Sequence, residues 1–183
     1  MRRAVEIGRE VYLRYPTPRD EEGFVARARA SRGLHRAWVH APDSSVAFRS
    51  HLRRTHQPDV ASFLICRRED DDLAGVATLS QIFLGNFRNA YLGFYAFEPY
   101  ERRGYMTEGV RLVLRHAFGT LGLHRVEANV QPDNEASMAF VERLGFRREG
   151  FSPRYLKIAG RWRDHVRWAI LAEEFVSRDG RAR

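Results

Sequence analysis

The residues best suited to chemistry lie in one short run, Glu101-Arg102-Arg103-Gly104-Tyr105-Met106-Thr107-Glu108-Gly109. An apolar run, Tyr91–Phe97, precedes it. A segment with Val110, Val113, Leu114, Ala117 and Phe118 on one helical face follows. The order is strand, basic glycine turn, helix start. A helix start offers N–H groups without intrahelical partners and the positive end of the macrodipole, so it suits an anion such as a pyrophosphate. Gly104 lets the main chain approach that ligand with no Cβ in the way. On this segment alone, an ordinary βα turn would read the same.

The elements that must position this turn follow from periodicity. Val11–Tyr15 reads as a first strand ended by Pro16 and Pro18, and a helix from Asp20 to about Ser31 follows, with Asp20 as its cap. Leu34, Trp38 and Val39 anchor an irregular stretch, and a second helix starts near Asp43 or Ser44, carrying Val46, Phe48 and Leu52. Ala61–Cys66 and Leu73–Leu79 form a hairpin around the solvated acidic turn Glu69–Asp72, which leads into the strand Tyr91–Phe97. The helix after Gly104 runs to about Leu121, and Arg125–Val130 is the next strand. Another helix has Asp133 or Asn134 at its cap, turns Phe140, Val141 and Leu144 inward, and closes at Gly145. Two last strands, around Tyr155–Ile158 and His165–Leu171, join at Ala159-Gly160. With no repeat or linker, residues 1–183 read as one α+β domain.

Composition bounds the function classes. The 183 residues carry a formal net charge of +8, with Lys157 the only lysine. Arginine favours bidentate phosphate contacts, so the balance points to an anionic ligand or an RNA-rich assembly without choosing between them. No apolar stretch approaches the roughly 20 residues of a membrane span, and the N-terminus lacks the apolar core of a signal peptide. The single cysteine, Cys66, excludes an internal disulfide, and a cytoplasmic protein is expected. Tyr12, Trp38, Phe83, Phe87, Trp162 and Trp168 read mostly as core and not as a nucleic-acid platform.

The chain resembles GNAT-fold acetyltransferases of the RimJ/RimL type, which acetylate N-terminal alanine or serine of ribosomal proteins. Beyond the glycine turn, the resemblance is carried by Tyr91-Leu92-Gly93, Leu123-His124-Arg125-Val126-Glu127-Ala128 and Asn134-Glu135-Ala136-Ser137. It continues through Leu144-Gly145-Phe146-Arg147-Arg148-Glu149-Gly150, Tyr155-Leu156-Lys157-Ile158 and Gly160-Arg161-Trp162-Arg163-Asp164-His165-Val166. It is dense from about residue 85 to 171 and weak before that.

The resemblance implies a mixed, mostly antiparallel sheet splayed between its fourth and fifth strands, here Tyr91–Phe97 and Arg125–Val130, with acetyl-CoA bound in the gap. Main chain near Phe97 would pair with the pantetheine arm and polarise the thioester. N–H groups of Arg102, Arg103, Gly104, Tyr105, Met106 and Thr107 would hold the pyrophosphate, and Asn134 would bond the cofactor arm. Glu101 departs from the Gln or Arg usual in such turns, and is expected to point away while Arg102 and Arg103 offset it. Ser137 would protonate the departing thiolate; it is equally a small polar residue of a first helical turn. The tyrosine that many GNAT enzymes use for this falls at Val141, and the base proposed for RimL falls near Arg154, so neither carries over. Glu127, on one strand face with Asn129, is the first candidate for the base, or else an ion-pair partner of an arginine. Glu98 and His165 are the alternatives. No metal is expected, and Cys66 lies outside the matching blocks.

Acetyl transfer from acetyl-CoA to a protein N-terminus, a ribosomal protein being the natural candidate, is therefore the leading expectation, by direct attack in a ternary complex. A homodimer is compatible with it, and no membrane or sequence-specific nucleic acid is expected as partner. Two alternatives stand: a small-molecule amine as acceptor, and a non-catalytic module on ribosomes or RNA.

Overall fold

Residues 4–35 and 38–179 are described by a computed structural model. Its sheet has eight strands: β1 (Glu6–Ile7), β2 (Val11–Arg14), β3 (Ala61–Arg67), β4 (Leu73–Phe83), β5 (Asn89–Ala96), β6 (Arg125–Val130), β7 (Arg147–Ile158) and β8 (Arg161–Leu171). They lie in the order β1-β2-β3-β4-β5-β6-β8-β7. Every neighbouring pair is antiparallel except β5 and β6, which run parallel. A parallel neighbour needs a crossover, and the helix after Gly104 supplies it. Because β1 precedes the strand at Val11, the pair expected as fourth and fifth is fifth and sixth. No helix among the described residues is long and apolar enough to cross a membrane.

The helices are α1 (Glu21–Ala30), α2 (Arg32–His35), α3 (Ser45–Arg54), α4 (Tyr105–Arg115), α5 (Glu135–Leu144) and α6 (Ala172–Asp179). The helix expected to reach Leu121 changes to a wider π turn over His116–Thr120. One sheet face packs α1 and α3: Phe24, Val25, Phe48 and Leu52 lie against Tyr12, Leu64, Val76 and Phe97. Ring centroids of Phe24 and Phe48 are 4.9 Å apart, and those of Phe24 and Phe97 are 5.4 Å apart. The other face packs α4 and α5 against Leu13, Ile65, Leu79, Leu92 and Val126. Gly109 permits this closeness, since a Cβ there would stand 2.6 Å from Ile65 Cγ2. With helices on both faces, β3 is buried almost throughout and shows no alternation.

Caps follow the expected chemistry in part. Ser44 Oγ accepts from Ala47 N, Asn134 Oδ1 accepts from Ser137 N, and Gly145 closes α5 at φ 99°. Asp20 sits at the cap of α1, but its carboxylate is buried in a bidentate pair with Arg14 (2.7 and 2.8 Å) and caps no α1 N–H. The acidic turn is not simply solvated: Asp71 accepts from the Tyr12 hydroxyl at 2.9 Å, and Asp72 pairs with Arg27 and accepts from Tyr100. The last two strands are far longer than expected, because their charged residues face solvent along an edge and interrupt any apolar run. Their turn, Ala159-Gly160, has positive φ at both positions (48° and 77°), as a two-residue hairpin requires. Tyr12 and Trp168 are core, whereas Phe83, Phe87 and Trp162 are exposed, contrary to expectation.

Candidate active site in the strand gap

β5 and β6 stay paired only at Asn89–Arg125, Ala90–Val126 and Tyr91–Glu127. Beyond these they diverge. Phe97 N–H donates to Ala74 O at 2.8 Å, on the β4 side, and its carbonyl accepts from Tyr100 N at 2.9 Å. Phe97 main chain is therefore engaged within the protein and its ring is core, which corrects the expectation placed on it. Antiparallel alternation turns the polar groups of the residue before it, Ala96, toward the gap instead. The Ala96 carbonyl is already held there by His35, whose Nε2–H donates to it at 2.8 Å. His35 is buried at the end of α2, edge-on to Tyr95, where no motif or periodicity marks it in the sequence.

The gap opens into a cavity of about 700 Å³. At one end stands the glycine turn. Gly104 has φ 87°, and Arg102 also takes a left-handed conformation at φ 61°. The first N–H to bond back along α4 is that of Glu108, to Gly104 O at 3.1 Å, so those of Tyr105, Met106 and Thr107 precede the helical ladder. Arg102, Gly104, Met106 and Thr107 line the cavity; Arg103 and Tyr105 do not. Arg103 instead stands over the Tyr100 ring at 5.9 Å, beside Arg27 and Arg67 at 5.2 and 4.8 Å. That stack, closed by the Tyr100–Asp72 hydrogen bond of 2.6 Å, props the turn from behind. Glu101, expected to point away, lines the cavity with Oε2 buried and unpartnered.

Asn134 and Ser137 line the opposite wall at the start of α5. Asn134 Oδ1 is engaged by the Ser137 N–H at 3.1 Å, which leaves the Asn134 amide and the Ser137 hydroxyl directed to other partners. Val141 is fully buried and does not line the cavity.

Glu127 is not among the lining residues. It sits where the strands are still paired and takes Arg125 Nε at 2.8 Å, while Arg125 also bridges to Glu149. Glu98 likewise stays off the cavity wall. His165 does line it. Its Nδ1–H donates to Arg163 O at 3.0 Å, which leaves Nε2 as the acceptor, and burial pushes its pKa below the ordinary histidine value. The imidazole is therefore neutral near pH 7. Leu34, Trp38, Leu156 and Ile158 also line the cavity. Cys66 is buried in the α1/α3 core, and burial pushes its thiol up to about 11, so it offers no nucleophile. No cluster of metal-ligating side chains occurs among the described residues.

The wall fits acetyl-CoA in type. The unpaired N–H groups suit a pyrophosphate, an open strand edge suits an amide-bearing arm, and a hydroxyl and a neutral imidazole line the same cavity. The acetyltransferase (GNAT) domain family matches residues 10–147. A Bacillus subtilis protein named Probable N-acetyltransferase YjcK is 41% identical over 118 residues, covering 64% of this chain and 65% of that protein. Ribosomal protein uS5-alanine N-acetyltransferase of Escherichia coli is 35% identical over 108 residues, 59% of this chain and 56% of that enzyme. The matched segments thus span less than two thirds of these curated relatives. Mycobacterium smegmatis RimJ, solved in complex with CoA-disulfide, superimposes with a TM-score of 0.78 at 26% identity, covering 92% of this chain and 89% of that one.

Proposed function

Because the chain belongs to the GNAT acetyltransferase family, we propose that it transfers the acetyl group of acetyl-CoA to the α-amine of a protein N-terminus. The observation that carries the acceptor class is the cavity lining: a neutral imidazole with Leu34, Trp38, Leu156 and Ile158 and, among the described residues, no carboxylate but Glu101 to hold a polyamine. Glu101 belongs to the glycine turn that would hold the pyrophosphate. A ribosomal protein is the first acceptor to try, since the Escherichia coli relative acts on one.

When bound, acetyl-CoA supplies an acetyl group activated as a thioester. The N–H groups of Met106 and Thr107, with Arg102, would hold the pyrophosphate, and the Asn134 amide would bond the arm. The Ala96 N–H, directed into the gap, polarises the acyl carbonyl. His165 Nε2 takes the proton of the attacking amine, directly or through one water, as the carbon–nitrogen bond forms. Ser137 Oγ–H gives its proton to the sulfur as the carbon–sulfur bond breaks and is reprotonated from solvent. No covalent enzyme intermediate is needed, and the two substrates are held together.

The test is thiol release from acetyl-CoA with peptides bearing N-terminal Ala or Ser, beside spermidine and amino acids. Turnover of the peptides supports the reading. Turnover of spermidine alone moves the acceptor to small amines, and calorimetry showing no acetyl-CoA binding would leave a non-catalytic module.

A further inference from the structure

The strand that carries His165 also carries a row of cations. Arg161, Arg163, His165 and Arg167 alternate along β8 and so share one face. In register, each arginine stands opposite a residue of the cavity wall: Arg161 opposite Ile158, Arg163 opposite Leu156, and Arg167 opposite Asn129. Directly opposed residues lie on the same face with Cβ atoms about 5 Å apart. The row therefore borders the cavity wall on either side of His165.

These arginines lack counter-charges among the described residues. The carboxylates nearest in the sheet are engaged elsewhere, Glu127 and Glu149 by Arg125, with Arg147 also on Glu149. Asp164 belongs to the opposite face and accepts the Arg154 N–H at 2.7 Å. Arg163 Nε is buried with no acceptor, and the Arg167 guanidinium lies over Gly150, 2.8 Å from where a Cβ would stand. Guanidinium groups in such a state match carboxylates as planar forks. Their repeat along a strand, about 6.7 Å, is also the side-chain repeat of an extended peptide lying alongside.

We propose that Arg161, Arg163 and Arg167 form an acceptor subsite for Asp and Glu side chains that follow the N-terminal residue, so that the preferred substrates are acidic N-terminal peptides. This rests on the peptide-acceptor reading above and names its substrate class. A single-stranded nucleic acid would also answer the charge, but its bases would need rings to stack on. The exposed rings of this hairpin, Phe151 and Trp162, stand opposite Val166 and Lys157, on the other face.

The experiment compares kcat and KM for three peptides with N-terminal Ala followed by acidic, neutral or lysine-rich residues, using the full chain and its Arg161→Glu/Arg167→Glu variant. Both replaced residues are exposed and neither acts on the reacting atoms. For the unaltered chain the acidic peptide should lead the lysine-rich one by about tenfold, in KM and not in kcat, as expected for two or three exposed pairs. The gap should shrink at 0.5 M salt. In the variant the order should invert, with the neutral peptide and CoA affinity unchanged. Equal KM values for the three peptides, or an acidic preference that survives charge reversal, would overturn the subsite while leaving the peptide reading intact. Competition by an RNA oligonucleotide with charge-independent peptide turnover would assign the row to nucleic acid and also overturn it. Failure of every peptide overturns both readings together.

Discussion

His165→Gln gives the sharpest test of the catalytic arrangement. In the structure His165 is buried, its Nδ1–H is fixed on the Arg163 carbonyl, and burial holds its pKa below the ordinary value of about 6.5. An α-amine with pKa near 7.8 is about one part in seven neutral at pH 7, whereas a lysine side chain is neutral to only about one part in 2,500. A base therefore has less to supply here than for lysine. The usual general-base contribution of about 10²–10⁴ should fall at its low end, and the variant should lose about 10²-fold in kcat/KM. The pH profile carries more information than the loss. In the unaltered protein log kcat/KM should climb with slope 2 below the His165 pKa, where enzyme and amine must both lose a proton. It should climb with slope 1 from there to about pH 7.8. The glutamine variant should show slope 1 throughout, with acetyl-CoA affinity unchanged by calorimetry. A variant that keeps the steeper acid limb, or loses less than about threefold, would refute His165 as the base.

Glu101→Gln should tighten CoA. An unpartnered like charge within about 10 Å costs an anion on the order of 1–2 kcal/mol at an effective dielectric of 20, or about tenfold in Kd at low salt. Calorimetry showing equal or weaker binding would remove Glu101 as an opposing charge. Asp20→Asn leaves the buried Arg14 guanidinium without its counter-ion and should destabilise by about 3–5 kcal/mol, lowering Tm by roughly 10 °C in thermal unfolding; a loss below 1 kcal/mol would contradict the buried pairing. His51, His116 and His165 are all held below the ordinary histidine pKa, chiefly by burial. Below about pH 6.5 the unfolded chain takes up protons that the folded one resists, so stability is full above that value and declines as pH falls toward the folded pKa values. His116→Phe, which keeps the edge-on contact with Phe63, should reduce the Tm difference between pH 7.5 and 5.5. An unchanged difference would show that His116 does not contribute.

The glycine turn, the order of the central elements and the caps at Ser44, Asn134 and Gly145 were legible because each is a local pattern with a local cause. The position of charged groups was not. Glu127 and Arg125 are two apart on one strand face, a spacing that already offers the ion pair the structure shows, yet alternation alone could not rank that against an opening onto the cavity. Glu101 depends on how Tyr100 and its three guanidinium neighbours stack beneath the turn, and those come from β3, α1 and the turn itself. His35 reaches Ala96 across 61 positions of sequence, which no periodicity encodes. Along Arg161–Arg167 the two-residue repeat of cations was visible, but its meaning required the register with β6 and β7.

Unpaired strand edges are normally a hazard, because a neighbouring molecule can add a strand and seed aggregation. The edges of β5 beyond Tyr91 and β6 beyond Glu127 escape that fate by facing each other across a gap within the sheet. No folded surface can be laid against them; only a chain about one strand wide can enter and use their N–H and C=O groups. The parting of these two strands is thus a size filter that acts before any chemistry, admitting slender extended molecules and turning bulky ones away at the backbone.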